Sequence, residues 1–133
     1  MATIRLPALL TLLILLSACS LLPKEKDMTK GWSASKFYSE ASAAMSAGDY
    51  EGAIGHYEKL EARFPFGRYA MQTQLDVAYA YYRNEDQEQA IAAADRFIKL
   101  HPNHPYVDYA FYLKGIVNFN RNMGFFDRFV PVD

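Results

Sequence analysis

Few residues in this sequence stand at spacings that do chemistry, and the one with a clear context is Cys19. It is the only cysteine in 133 residues, so it has no internal disulfide partner and cannot build a thiolate-based zinc site. His101 and His104 are three apart, but Pro102 and Pro105 interrupt them and no carboxylate or cysteine joins them at ligand spacing. They read as structural or solvent-exposed residues. His56 stands alone in a helical stretch. There is no glycine-rich phosphate loop and no Ser/His/Asp set in a recognisable context. An enzyme is not expected, and neither is a metal site or a dissociable cofactor.

The elements around Cys19 explain its chemistry. Leu16-Ser17-Ala18-Cys19 resembles the lipobox that ends a bacterial lipoprotein signal peptide. Small residues fit the peptidase, and the thiol is the nucleophile that takes a diacylglycerol. Cleavage then frees the Cys19 amine for an N-acyl chain. Arg5 supplies a positive n-region, and Leu6 to Leu16 is apolar apart from Thr11, as a secretory signal requires. Eleven residues rise only about 16 Å as a helix, while a bilayer core takes about 20 residues, so the stretch fits a signal better than a span. The competing reading is an ordinary signal with a chance cysteine. Ser20 is not the Asp of an inner-membrane retention signal, which by analogy points to the outer membrane of a Gram-negative cell. Residues 1–18 are therefore read as a signal peptide, and 19–32 as a lipidated cysteine and charged tether.

Removing the first 18 of 133 residues leaves 115, enough for one modest core. The formal charge moves from −1 to −2, because Arg5 goes with the signal. That balance argues against a dedicated nucleic-acid binder, which needs clustered Lys and Arg. All 20 aromatics (10 Tyr, 9 Phe and 1 Trp) lie after Gly31, so residues 33–133 are unusually aromatic.

Those residues read as helices in repeat. Ala53-Ile54 stands 37 residues before Ala90-Ile91, and Pro65 stands 37 residues before Pro102. Two independent markers at one spacing resemble the tetratricopeptide repeat, a helix–turn–helix unit, with three extra residues between copies. The spacing predicts helices over Ser33–Ala47, Tyr50–Arg63, Arg68–Asn84, Gln87–Leu100 and Pro105–Asn120. Ala53 and Ala90 belong where paired helices cross closely. The two prolines end the second helix of each pair, and Gly48 supplies a left-handed cap. Asp86 and Gln89 have capping-box spacing. The expected fold is all-α, a tetratricopeptide-repeat solenoid of about two and a half repeats. Its end, with Phe125, Phe126 and Phe129, lacks the polar cap that closes such arrays. It reads either as a truncation in or after the third repeat or as a tail folded back as its own cap.

The first helix of each pair lines the concave face of such arrays. The inward positions at helical spacing are Tyr38, Ser42 and Met45, then Leu75, Tyr79 and Tyr82 with Arg83 at the rim, then Tyr109, Tyr112, Ile116 and Phe119. This stripe reads as repeat-to-repeat packing or as an aromatic groove for an extended polypeptide. Tyrosine offers rigid contact area at low entropic cost and keeps a polar tip wet. Phe37, Tyr57, Tyr81, Phe97 and Phe111 are assigned to the core.

Together the lipobox, the charged linker and the stretch from YSEASAAMSAGDYEGAI through EARFPFGRYA to HPNHPYVDYAFYLKG resemble the BamD (ComL) family. These are the tetratricopeptide lipoproteins of the outer-membrane β-barrel assembly machinery. The resemblance implies about five repeats, of which this chain carries the N-terminal portion. It implies lipid anchorage in the outer membrane facing the periplasm. It also implies partners: the barrel subunit BamA, other lipoprotein subunits, and unfolded outer-membrane proteins. The later repeats carry most of the family's BamA docking, so that contact is uncertain for this chain. The competing functions are an envelope adaptor for pilus or secretin assembly, and DNA uptake, suggested by the family's competence name.

Overall fold

The computed structural model describes residues 27–126, with side chains through Arg121. It contains five helices: α1 Ala34–Ala47, α2 Tyr50–Arg63, α3 Ala70–Arg83, α4 Gln87–Leu100 and α5 Val107–Phe126. Each packs on the next in sequence, and α3 also touches α5. That is the contact pattern of a helical solenoid in which α1, α3 and α5 are the first helices of successive pairs. All five belong to one compact unit that begins at Trp32. The expected signal peptide, Cys19 and most of the expected tether, residues 1–26, lie outside the described residues, as do 127–133. No helix among the described residues is long and apolar enough to cross a membrane.

The repeat is visible in the backbone. Ser33 caps α1 by accepting from the Lys36 amide at 3.2 Å, and Asp49 caps α2 by accepting from Gly52 at 3.0 Å. Phe64 and His101, each before a proline, close α2 and α4 at φ −132° with ψ 55° and 56°. Proline forbids its predecessor the helical region, so both helices stop in the same way. Gly48 takes φ 78° at the end of α1. Its amide donates to Met45 O at 3.2 Å, and that of Asp49 donates to Ala44 O at 2.9 Å. Thirty-seven residues on, Glu85 and Asp86 repeat those two bonds to Tyr82 O and Tyr81 O at 3.2 and 2.9 Å. Glu85 does so at φ 66°, a left-handed conformation that costs a side-chain-bearing residue about 1–2 kcal/mol.

Small residues make the crossings. Ala41, Ala53, Ala78, Ala90 and Ala94 are fully buried beside Tyr57, Val77, Leu113 and Val117. Both alanine markers, Ala53 and Ala90, are fully buried in this close-packed cluster, which explains their recurrence.

Four expectations are corrected. Asp86 does not cap α4 with its side chain; Asn84 Nδ2 donates to its Oδ2 at 2.7 Å and occupies it. Helix α3 begins at Ala70 rather than Arg68, because Gly67 and Ala70 first close turns onto Phe64 and Gly67. Helix α5 begins at Val107 rather than Pro105, after a turn from His104, and runs beyond Asn120 to Phe126. Phe111 is not core; it is 56% exposed. Its repeat equivalents explain why. Phe37 in α1 faces Phe64 at the end of α2, with ring centroids 6.5 Å apart. Gln74 in α3 pairs with His101 at the end of α4, at 3.0 Å. No equivalent partner of Phe111 lies among the described residues. Tyr81 is half-buried, held by a hydrogen bond from its hydroxyl to Glu58, while Phe37, Tyr57 and Phe97 are core as expected.

Candidate functional site: the tyrosine face of the first helices

The central helix α3 presents Gln72, Asp76, Tyr79 and Arg83 at steps of four, three and four residues, which keeps them on one face. They are linked in pairs. Gln72 Nε2 donates to Asp76 Oδ1 at 2.8 Å, and Arg83 Nη1 donates to the Tyr79 hydroxyl at 2.9 Å. From α1, Tyr38 donates its hydroxyl to Asp76 Oδ2 at 2.9 Å. The Tyr38 ring stacks on Tyr69 at 4.8 Å and meets the edge of Tyr57 at 6.1 Å.

Burial raises the Asp76 carboxyl above the usual carboxylate range, and the bonds from Gln72 and Tyr38 oppose that shift only in part. Burial, then the Asp76 charge, push the Tyr38 hydroxyl up to about 12. The same two influences raise Tyr57 further. Tyr109 is also raised, first by burial and then by Tyr79, Asp76 and Tyr112. Tyr38 of α1 thus bonds the half-buried acid of α3 directly, and Tyr109 of α5 lies within reach of its charge.

At the other end of the ridge the Arg83 guanidinium lies over the Tyr50 ring, 4.6 Å from its centroid, and hydrogen-bonds the Tyr50 hydroxyl. Such stacking holds the guanidinium plane. Tyr82 lies 6.2 Å from Tyr79 by ring centroids, and its hydroxyl accepts from Asn120 Nδ2 at 3.1 Å. Tyr109 and Tyr112, with centroids 6.4 Å apart, extend the surface onto α5.

The sequence-derived stripe divides into three parts. Tyr38, Met45, Tyr79, Tyr82 and Ile116 are half-buried and pack on the main core cluster. Tyr109, Tyr112 and Phe119 are exposed, as is Ser42. Leu75 is only 3% exposed and packs with Phe97 and Ala110, so it underlies the surface rather than projecting from it. Cys19 lies outside the described residues. Sequence reasoning missed Gln72, Asp76 and Tyr69. The first two share the helical spacing of Tyr79 and Arg83, which is the signal that could have found them.

The remaining candidates carry no ligand geometry. His101 bonds Gln74, and His104 Nδ1 accepts from the Tyr106 amide at 3.2 Å. Both rings pack on Phe97, at 5.1 and 5.3 Å. Among the described residues no cluster of three or more His, Cys, Asp or Glu stands ready for a metal ion.

The sequence model of the tetratricopeptide repeat matches residues 25–133. The chain belongs to the tetratricopeptide-repeat family. Its similarity extends to curated proteins named outer membrane protein assembly factor BamD. The protein of Neisseria meningitidis serogroup B is 45% identical over 121 residues, covering 89% of this chain and 45% of the relative. That of Vibrio cholerae is 36% identical over 91% of this chain and 49% of the relative. That of Xylella fastidiosa is 32% identical over 96% and 43%. The chain thus spans about half the length of the curated relatives it matches.

Proposed function

We propose that the protein is a non-enzymatic scaffold for assembling β-barrel proteins into the outer membrane, and that its tyrosine face receives the unfolded client. The observation that carries this reading is the 45% identity to a BamD assembly factor across 89% of this chain. The tyrosine face supplies the means. An unfolded β-barrel strand is extended and alternates apolar and polar residues. Tyr79, Tyr109 and Tyr112 offer ring faces to its apolar side chains, while their hydroxyls and Asp76 meet its backbone.

The signal residues 1–18 deliver the chain across the inner membrane in this reading. Cys19 then carries the S-diacylglycerol and N-acyl chains, and the protein faces the periplasm from the outer membrane. Burial of about 0.8 kcal/mol per CH₂ makes a single chain marginal and two or more a stable anchor. BamA and other lipoprotein subunits of the assembly machinery are the expected partners. The mature charge balance of −2 disfavours the DNA-uptake alternative.

Copurification tests the reading against the adaptor alternative. Protein extracted from outer membranes should bring down BamA or an unfolded porin. Recovery of a pilus secretin without either would replace the scaffold with the adaptor.

A further inference from the structure

The ridge of α3 carries an acid, Asp76, and a base, Arg83, and the bonds each makes to neighbouring helices leave hydrogen-bonding capacity unspent. Asp76 spends one lone pair of each oxygen on Gln72 and Tyr38, which leaves acceptor capacity on both. Seven residues on, about 10.5 Å along the axis at about 1.5 Å per residue, stands Arg83. Its Nη1 and Nη2 each donate to a tyrosine hydroxyl, those of Tyr79 and Tyr50. Among the described residues its other N–H donors find no partner, and no ion pair includes it. The stack on Tyr50 and the bond to Tyr79 fix the guanidinium, so little freedom remains to be lost when an anion arrives.

We propose that Arg83, oriented by Tyr50 and Tyr79, is a carboxylate subsite of the groove. The occupant is an extended polypeptide with an Asp or Glu side chain at the Arg83 end and no acidic residue where it passes Asp76. This rests on the client-receiving role proposed above and gives the groove a direction. The separation matches about three residues of extended chain at about 3.3 Å each. The carboxylate comes from a side chain rather than a chain end, because Arg83, Glu85 and Asn120 are all exposed at this rim and leave room for the segment to run on. The hollow there has a volume of about 380 Å³ and is lined by Tyr82, Arg83, Glu85, Gln87 and Asn120. Among the described residues that line it Glu85 is the one acid, so it opposes an incoming anion and sets a limit on affinity.

Fluorescence anisotropy with the intact protein tests this. Four short labelled peptides of alternating Tyr and Thr are used. One carries a Glu near one end and one a Glu near the other, both amidated. The third carries Gln and is amidated, and the fourth is the same Gln peptide with a free C-terminus. One Glu peptide should bind about tenfold more tightly than the amidated Gln peptide, as charge-assisted bonds to a fixed guanidinium require. The other Glu peptide should gain nothing. The advantage should vanish in Arg83→Gln, fall in part in Arg83→Lys, and grow in Glu85→Gln. If Arg83→Gln fails to fold, an unchanged advantage in both other variants overturns the proposal. Equal binding of Glu and Gln peptides overturns the carboxylate subsite while the groove stands. A gain confined to the free C-terminus overturns the side-chain assignment. Absence of binding by all four peptides overturns the groove itself.

Discussion

Replacing Glu85 with glycine should stabilise the protein, although it removes a side chain. Glu85 holds φ 66° where its repeat equivalent, Gly48, holds φ 78°. The hydrogen bonds at the two sites have the same lengths, so the turn itself is not at fault. The left-handed conformation costs a residue with a Cβ about 1–2 kcal/mol. Glycine loses about 0.5–1 kcal/mol more backbone entropy on folding. The difference leaves a net gain of about 0.5–1 kcal/mol, or roughly 3–6 °C in Tm for a body of this size. Glu85→Ala keeps the backbone penalty while deleting the charge, so it should leave Tm nearly unchanged. Gly48→Ala imposes the penalty on the first repeat and should lower Tm by a similar amount. Thermal unfolding followed by far-ultraviolet circular dichroism reads all three. If Glu85→Ala stabilises as much as Glu85→Gly, the gain comes from charge and the backbone argument fails. If Glu85→Gly destabilises, the equivalence of the two turns is wrong.

Other outcomes follow from the same contacts. Ala90→Leu forces extra carbons into a fully buried crossing and should cost about 1–3 kcal/mol in denaturant titration. The raised Asp76 carboxyl means that the folded state holds its proton more tightly than the unfolded chain. Its favourable contribution is therefore present below the unfolded carboxylate range and is lost as pH rises through the folded value. Asp76→Asn removes that dependence, so lowering the pH from 7 to 4 should shift the stability difference in favour of the native residue, as parallel melts would show. Cys19→Ala should leave an uncleaved, non-acylated precursor on metabolic labelling with palmitate; normal processing would contradict lipidation at Cys19.

The helices were legible because proline, glycine and alanine act locally. Pro65 and Pro102 stop helices by sterics alone, and α2 and α4 end where those residues require. The boundaries that moved, at Ala70 and Val107, depend on turns closed by backbone bonds that leave no strong mark on residue type. Asp86 was misjudged because capping spacing is necessary but not sufficient; Asn84 competes for the same carboxylate. Phe111 was misjudged because its type suits a core, while no counterpart of Phe64 or His101 packs on it among the described residues. The alignment of Tyr38, Tyr79 and Tyr82 on successive first helices was legible from helical spacing, yet the acid bonded to Tyr38 was not. Asp76 matters through Tyr38, which is 38 residues away in sequence, and periodicity within one helix carries no information about such a partner.

A photo-crosslinking residue on the tyrosine face, with a control on the α2/α4 side, tests the central proposal most directly. It would replace Tyr79 or Tyr112 on the tyrosine face, and Gln89 in the hollow between α2 and α4, in cells making a β-barrel outer-membrane protein. The expected result is crosslinking of the unfolded client at Tyr79 and Tyr112 and not at Gln89. Client crosslinks at Gln89 with none at the two tyrosines would contradict the groove.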